Sequence, residues 1–419
     1  MAVQLARRGI RSQLIDGSGR LGRGVAYSTN EPAHLLNVPA ERMSALAGEP
    51  DHFARIFEAE GGDRRGFAER RLFGRYLRGI LDEAVEKGCI KIIEATAVGA
   101  SRQGDGWQVH LNNRSSLETK GLVLAAGNQE PAALGEFEEV GDRFVRDPWD
   151  ATARAAVEDL ANTGAAALIV GTGLTMVDLV LSLEAAGHQG RIVALSRRGL
   201  APRSHANTEP APVDQSDIPQ GSVIGLLRWL RRRSAEVGWR PAVDSLRPFS
   251  HVLWQGFDVD QQRRFLRHAR PYWDVHRHRI APEVGQTVAR LIGGGRLEIL
   301  AGRISTARET DRGLEVGYRK RAAEADQSMT FGYAFNCTGP LHTMSRSRDP
   351  MLRSLLDAGE VAPDHLNIGL SVDENCRAGE HLWAMGPLTK GRYWEIIAVP
   401  DIREQAAAVA DDIKRELGE

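Results

Sequence analysis

Residues 166–200 read AALIVGTGLTMVDLVLSLEAAGHQGRIVALSRRGL, and this stretch decides the fold class. The apolar run 166–170 predicts a short buried strand, and Gly171-Thr172-Gly173 predicts a tight turn after it. Apolar residues at helical spacing predict a helix over 174–186, and residues 191–195 predict a second strand. A strand, a helix and a strand in this order predict α/β architecture with a parallel sheet.

The turn and the second strand of this unit are typical of a dinucleotide site. Glycines at 171 and 173 allow backbone amides and the helix N-terminus to approach a pyrophosphate, although Met176 stands where the fingerprint has Gly or Ala. The second strand is followed by Ser196-Arg197-Arg198 rather than by an acid that would bind a ribose 2′-hydroxyl. Arginine suits a 2′-phosphate, so the unit predicts NADPH rather than NADH. A plain α/β turn and a solvated basic loop are the alternatives.

A second, partial unit lies at the start of the chain. Residues 2–8 predict a crossover helix and residues 12–16 a strand ending at Asp16, where an acid would bind a ribose. The strand and glycine turn that precede such a helix are absent, so we expect the native protein to be longer. The alternative is a trimmed fold with an open sheet edge.

Composition excludes several classes of protein. The 419 residues carry 54 Lys and Arg against 55 Asp and Glu, and this balance argues against a dedicated nucleic-acid-binding protein. The three cysteines form no CxxC or CxxH motif, which disfavours a disulfide framework, a zinc module and an oxidising compartment. With neither a signal sequence nor an uninterrupted apolar span, the sequence predicts a cytoplasmic protein without a membrane segment.

The alternation of strands and helices predicts two Rossmann-like dinucleotide-binding lobes. The expected boundaries are 1–150 with 331–419 for the first lobe, and 151–330 for the second, which carries a helical insertion at about 204–290. Within the insertion, residues 267–279 are rich in Arg, His and aromatic side chains. They predict either a site for a planar or anionic ligand or a charged seam between lobes. A metal at His276 and His278 is disfavoured because no third ligand is spaced nearby.

Eight segments along nearly the whole chain carry a resemblance to a known family. They resemble bacterial FAD/NAD(P)-binding flavoproteins related to the two-dinucleotide-fold flavin monooxygenases, including the urate-hydroxylating and amino-acid N-hydroxylating branches. The segments are GRGVAYST (22–29), HLLNVPAERMSA (34–45), RRLFGRYL (70–77), GTGLTMVD (171–178), SRRGL (196–200), RPYWDVHRHR (270–279), NCTGP (336–340) and WEIIAVPDIREQ (394–405).

The resemblance implies a role for individual residues of this chain. For FAD, the resemblance implies that Asp16 binds the adenosine ribose and that Val98 lies by the adenine. Asn37, Arg42 and Met43 would lie along the flavin, with Gly127 and Gly386 close to the cofactor backbone. Ile402 would lie at the start of a helix whose N-terminus is aimed at the flavin. Alternatively, the helix of Ile402 is only a packing helix at the C-terminus. For NADPH, the implied phosphate-binding residues are Gly171, Gly173, Thr175, Ser196, Arg197 and Arg198. Substrate-binding candidates are His276, Arg277 and Arg279.

The activity implied is monooxygenation of a small molecule. NADPH would reduce FAD, reduced flavin would react with molecular oxygen to a C4a-hydroperoxide, and one oxygen atom would pass to the substrate. Urate is the first expectation for the substrate. The alternatives are N-hydroxylation of an amino acid or amine, and a non-oxygenating oxidoreductase or redox sensor that holds the same cofactors.

Overall fold

The computed structural model describes residues 1–418. The helices are α1 (Ala2–Ala6), α2 (His52–Ala59), α3 (Arg70–Glu86), α4 (Ala151–Thr163), α5 (Leu174–Ala185), α6 (Val223–Val237), α7 (Trp239–Ser245), α8 (Ser250–Gln255), α9 (Val259–Arg264), α10 (Arg270–Arg277), α11 (Pro282–Gly293), α12 (Pro350–Asp357) and α13 (Val399–Leu417). The strands are β1 (Ser12–Ile15), β2 (Ile90–Ile93), β3 (Ala97–Gln103), β4 (Gly106–Leu111), β5 (Ser116–Thr119), β6 (Leu122–Leu124), β7 (Phe144–Val145), β8 (Ala167–Val170), β9 (Ile192–Ser196), β10 (Leu297–Thr310), β11 (Gly313–Lys320), β12 (Gln327–Phe331), β13 (Tyr333–Asn336), β14 (Arg377–Gly379) and β15 (Leu382–Ala384).

The larger sheet belongs to the second lobe and has the strand order β12-β11-β10-β9-β8-β13-β7. Strands β7, β13, β8, β9 and β10 are parallel, and β11 and β12 add an antiparallel edge. Every residue of β8 is buried, with Ala167 and Ile169 in one apolar cluster and Leu168 and Val170 in another. A central parallel strand is covered on both faces, which explains why it reads as a continuous apolar run. The predicted strand, helix and strand are confirmed here as β8, α5 and β9.

The predicted boundaries of the second lobe need two corrections. Strands β7 and β13, which the boundaries 1–150 and 331–419 assigned to the first lobe, hydrogen-bond within the second lobe's sheet. Helix α11, which the boundary of 204–290 placed in the insertion, packs Val284, Val288 and Leu291 into the same core as α5. It is the crossover helix that leads into β10, so the helical insertion ends near residue 278.

The first lobe contains three smaller sheets in the described residues. Strands β1 and β2 form a parallel pair, β6, β15 and β14 form a second sheet, and β3, β4 and β5 form an antiparallel meander. Helices α1 and α13 share an apolar cluster around the buried Trp383. That a strand and glycine motif precede α1 stays a prediction.

A buried ion pair joins the two lobes. Arg70, on α3, donates two hydrogen bonds to the Asp178 carboxylate on α5, at 2.9 and 2.8 Å, and both side chains are 8% exposed. His34 contacts the Asp178 carbonyl oxygen through Nε2 at 2.9 Å. Three of the segments that carry the family resemblance therefore meet at one interface.

The helical insertion leaves the second lobe and packs onto the first. Trp254, on α8, is buried, donates from Nε1 to the Gly391 carbonyl oxygen at 2.9 Å and stacks on Trp394 with ring centroids 5.0 Å apart. Within the insertion, an apolar core contains Trp229, Leu246 and Leu253, among others. Across residues 1–418, no helix has the length and apolarity required to cross a membrane.

Candidate functional site

The glycine turn between β8 and α5 is shaped for a close ligand. Gly171 has φ of +116°, and a Cβ there would lie 2.1 Å from the Cys337 carbonyl oxygen, so no larger residue fits. Gly173 is the N-cap of α5 and lacks a capping side chain, and none of the described atoms lies within 4 Å of a Cβ built on it. The space beside Gly173 at the N-terminus of α5 is therefore open, which fits a pyrophosphate at this helix end.

Two hydroxyl groups hold this turn against the end of β9. Thr172 Oγ1 lies 2.8 Å from Ser196 Oγ and also donates to the Leu200 carbonyl oxygen. Ser196 Oγ accepts from the Gly199 amide at 3.0 Å. The predicted residue Ser196 thus fixes the loop that carries Arg197 and Arg198, while Thr175 lies partly buried in the first turn of α5.

Arg197 and Arg198 line a basic cavity of about 720 Å³. Insertion residues and the edge of the β10–β11 hairpin supply its other cations, which are Arg267, Arg270, Arg303, Arg319, Lys320 and Arg321. Arg319 pairs with Asp326 and Lys320 lies 3.8 Å from Glu298. In the described chain, Arg197, Arg267, Arg303 and Arg321 have no carboxylate partner within 4 Å. This excess of positive charge is suited to a phosphate group.

In the first lobe, the predicted cofactor residues lie at strand ends and at backbone irregularities. Asp16 follows β1, and its Oδ1 accepts from the Ser18 amide at 2.8 Å and hydroxyl at 2.6 Å. Val98 sits at a bulge between β3 and β4. Gly127 and Gly386 have φ of +72° and +61°, and within residues 1–418 no atom lies within 4 Å of a Cβ built on either. The two glycines thus leave room for a cofactor to approach the backbone.

The loop predicted to lie along the flavin is anchored from both lobes. His205 Nε2, from the second lobe, lies 3.0 Å from the Asn37 carbonyl oxygen. Met43 is buried and Arg42 is exposed, both at the short 3-10 turn Ala40–Arg42. Burial lowers the pKa of His205 to about 4, so its imidazole is neutral at physiological pH.

Helix α13 is fixed to the turn Gly386–Thr389. The Gln405 side chain accepts from the Gly386 amide at 2.7 Å and donates to Thr389 Oγ1 at 2.9 Å. Ile402 therefore lies in the first turn of a helix whose N-terminus is tied to the predicted cofactor glycine. Such a terminus favours an anionic or electron-rich ligand atom.

The predicted substrate residues are engaged with protein groups. Arg277 donates from Nε to Glu395 at 3.2 Å, and Arg279 pairs with both carboxylate oxygens of Asp244 at 2.9 and 3.0 Å. His276 Nδ1 lies 2.7 Å from the Tyr272 carbonyl oxygen. Arg277 contributes to a charged seam between the insertion and the first lobe, which is one of the two arrangements that the sequence predicted. A ligand role for the three residues stays a prediction.

Sequence reasoning missed a neighbouring group of cations. Lys390 follows the turn Gly386–Thr389, and Arg247 lies on the insertion between α7 and α8. Both are partly buried, and burial lowers the pKa of Lys390 to about 8 and also lowers the pKa of Arg247. Lys390 lies in a conspicuous segment, GPLTKGRYWEI, whereas nothing in the sequence around Arg247 signals a site.

The chain has the fold of flavoproteins that have two dinucleotide-binding domains. Residues 1–129 match the model of a family described as FAD-NAD(P)-binding. Uncharacterised proteins of Mycobacterium tuberculosis and Mycobacterium bovis are 26% identical over 178 residues, which cover 40% of this chain and 33% of theirs. The chain therefore matches one third of the length of these curated relatives.

Solved structures share the fold along nearly the whole chain. L-lysine 6-monooxygenase from Pseudomonas syringae has a TM-score of 0.68 at 16% identity, covering 99% of this chain and 96% of that one. An ornithine N-hydroxylase from Kutzneria sp. 744, solved with reduced FAD, NADP+ and L-ornithine, has a TM-score of 0.66 at 13% identity, with coverage of 99% and 96%. Thioredoxin reductase from Lactococcus lactis has a TM-score of 0.54 at 12% identity, with coverage of 100% and 94%.

Proposed function

We propose that the protein is an FAD-dependent, NADPH-consuming monooxygenase that hydroxylates a nitrogen atom of a small amino acid or amine. The observation that carries the proposal is the open glycine turn of α5 beside the basic cavity, because the two together suit NADPH. The likeness to lysine and ornithine hydroxylases supports the oxygenase chemistry. It favours N-hydroxylation over urate hydroxylation, which was the first expectation from the sequence.

In this proposal the two lobes supply binding and orientation. Gly171, Gly173 and Thr175 would hold the NADPH pyrophosphate, and Arg197 with Arg198 its 2′-phosphate. In the first lobe, the residues proposed to hold FAD are Asp16, Asn37, Arg42, Met43, Val98, Gly127, Gly386 and Ile402. Bound FAD would accept a hydride from NADPH and activate molecular oxygen. The buried seam around Glu395 would keep bulk water from the reacting groups.

A dithiol reductase is the main rival among proteins of this fold. Such an enzyme needs a reactive cysteine pair, but Cys89, Cys337 and Cys376 are free, and the last two are buried. Burial raises the pKa of the Cys337 thiol, which opposes formation of a thiolate. The cysteines therefore favour the oxygenase over the reductase.

The proposal is tested with FAD-supplemented protein and NADPH in the presence of L-lysine, L-ornithine, putrescine or urate. NADPH oxidation, hydrogen peroxide and hydroxylated product are measured together. We expect one nitrogen compound to accelerate NADPH oxidation and to yield product in proportion to NADPH consumed, with little peroxide. Slow oxidation that ends in peroxide with every compound would contradict the proposal and favour the sensor.

A further inference from the structure

Three separate parts of the second lobe form the wall of the basic cavity. The loop after β9 supplies Arg197 and Arg198, the helical insertion supplies Arg267, and the β10–β11 hairpin with the turn after it supplies Arg303 and Arg321. The side chains of the last three make no hydrogen bond or ion pair with any residue in the described range 1–418. Like charges that share a cavity repel one another, so an anion bound between them is favourable.

Backbone contacts hold the loop after β9 against the hairpin. Gly199 has φ of +60°, and a Cβ built on it would lie 2.9 Å from the Ala301 amide nitrogen, so the loop packs directly on β10 at this residue. The Arg321 amide donates to the Ala301 carbonyl oxygen at 2.7 Å. Arg303 lies two residues beyond Ala301 on the same strand and therefore on the same face of the sheet. The loop that carries Arg198 and both hairpin arginines thus meet at one residue.

The insertion reaches the same loop through a backbone carbonyl that a proline leaves free. Helix α9 continues into a π-helical turn, Phe265–Ala269, and then into α10, whose second residue is Pro271. In an α-helix the N–H of residue 271 would bond to the carbonyl oxygen of residue 267, but proline has no N–H. The Arg198 guanidinium donates to this Arg267 carbonyl oxygen at 3.0 Å instead. Arg267 is therefore held beside the loop that the sequence predicts to bind the 2′-phosphate.

Helix α10 runs from the cavity to the seam with the first lobe. Arg270, at its start, lines the cavity and donates to His342 Nε2 at 3.0 Å. Burial lowers the pKa of His342 to about 3, so its imidazole is neutral and able to accept this bond. Arg277, at the other end of α10, pairs with the buried Glu395 of the first lobe. A ligand that holds the start of α10 therefore also steadies the seam.

We propose that the insertion is part of the NADPH site, and that Arg267, with Arg303 and Arg321, binds the 2′-phosphate opposite Arg197 and Arg198. The inference rests on the proposed function and adds three specificity-determining residues to it. A phosphate monoester carries about two negative charges near neutral pH and offers three acceptor oxygens, so guanidinium groups from several sides can share it. NADH lacks this group, and the three arginines therefore favour NADPH. The bound phosphate also fastens the start of α10 to the second lobe.

Binding is measured by calorimetry on the FAD-loaded protein, with adenosine 2′,5′-bisphosphate and 5′-AMP as probes that differ only in the 2′-phosphate. We expect the bisphosphate to bind more tightly. Arg267→Met should reduce this preference about tenfold or more, as expected for the loss of hydrogen bonds to a charged group, and should leave the affinity for 5′-AMP unchanged. Arg303→Met and Arg321→Met should reduce the preference in the same way. Arg264→Met is the matched control, because Arg264 is an exposed arginine of α9 outside the cavity lining.

A second measurement uses the unchanged protein and so does not depend on the folding of a variant. Hydrogen–deuterium exchange is followed by mass spectrometry at saturating concentrations of each probe. We expect the bisphosphate to slow exchange of the amides in 265–277 relative to 5′-AMP, because only the bisphosphate joins the insertion to the loop after β9. Helix α6, which does not line the cavity, is the internal control and should exchange equally with both probes.

An unchanged preference in Arg267→Met would overturn the inference, as would equal exchange of 265–277 with the two probes. Equal weakening of both probes in that variant would show that Arg267 only maintains the structure, and this result also overturns it. The proposed function fails separately. Native protein that binds both probes equally contradicts the choice of NADPH, whereas a preference that depends on Arg197 and Arg198 but not on Arg267 leaves that choice standing and contradicts this inference alone.

Discussion

Replacing Asp178 by Asn tests whether the buried pair with Arg70 holds the lobes together. The side-chain volume is unchanged, but the Arg70 guanidinium loses its counter-charge at a site where both side chains are 8% exposed. Breaking a buried pair from one side costs about 3–5 kcal/mol, because the remaining charge stays buried without a partner. Arg70 keeps its hydrogen bond to the Leu35 carbonyl oxygen at 3.0 Å, so we expect the lower end, about 3 kcal/mol.

The assay is urea unfolding followed by circular dichroism and tryptophan fluorescence. Glu83→Gln is the control, because Glu83 forms an exposed pair with Lys87 one helical turn away, and a pair in water contributes little to stability. The double variant Arg70→Met with Asp178→Leu should recover most of the lost stability, since no buried charge remains. A loss below about 1 kcal/mol in Asp178→Asn would refute the reasoning.

Three further predictions concern the cofactor turn, the basic cavity and the last helix. The double variant Arg197→Ala with Arg198→Ala should raise the KM for NADPH about tenfold or more and leave the KM for NADH nearly unchanged. Steady-state kinetics measure both, with Arg231→Ala and Arg232→Ala on α6 as the control double variant. Equal effects on the two cofactors would contradict the assignment. Gly171→Ala should destabilise the protein by about 2 kcal/mol more than Gly187→Ala, as measured by thermal unfolding. Both glycines have positive φ, but only at Gly171 would a Cβ lie 2.1 Å from a carbonyl oxygen. Asp412 hydrogen-bonds to Arg377 and Trp383, and its pKa falls to about 2. The ionised carboxylate therefore stabilises the fold above a pH of about 4. The free energy of unfolding should be about 2 kcal/mol higher for the native chain than for Asp412→Asn, and this difference should shrink as the pH falls toward 2. A difference that does not depend on pH would argue against this cause.

The sequence predicts those parts of the fold that local patterns encode. The apolar run of β8, the glycine turn and the helical spacing of α5 lie next to one another in the chain, and each is observed within one residue of its prediction. The turn at Gly171 was predicted as such a local feature, but its close approach to Cys337, far along the chain, was not.

The remainder depends on contacts between distant parts of the chain. Nothing near Arg70 indicates that Asp178, 108 residues away, is its partner, and nothing near Arg277 indicates Glu395. Arginines that pair with protein carboxylates and arginines that bind a ligand have the same sequence signature. The sequence therefore predicts a basic insertion but does not reveal that Arg277 pairs with Glu395.

Strands β7 and β13 were misassigned for a related reason. They lie on either side of the second lobe in sequence, and only their pairing with each other and with β8 shows where they belong. A two-residue strand such as β7 carries too little periodicity to reveal its sheet.

The seat of Trp254 on the first lobe has a mechanical consequence. The insertion grows from the second lobe and is held at Gly391, while the Arg70–Asp178 pair joins the lobes through α3 and α5. The Arg277–Glu395 pair and the contact of His205 with the Asn37 carbonyl oxygen add further attachments. Because the lobes are joined at several separate places, release of Trp254 from its stack on Trp394 would loosen the insertion without freeing one lobe from the other.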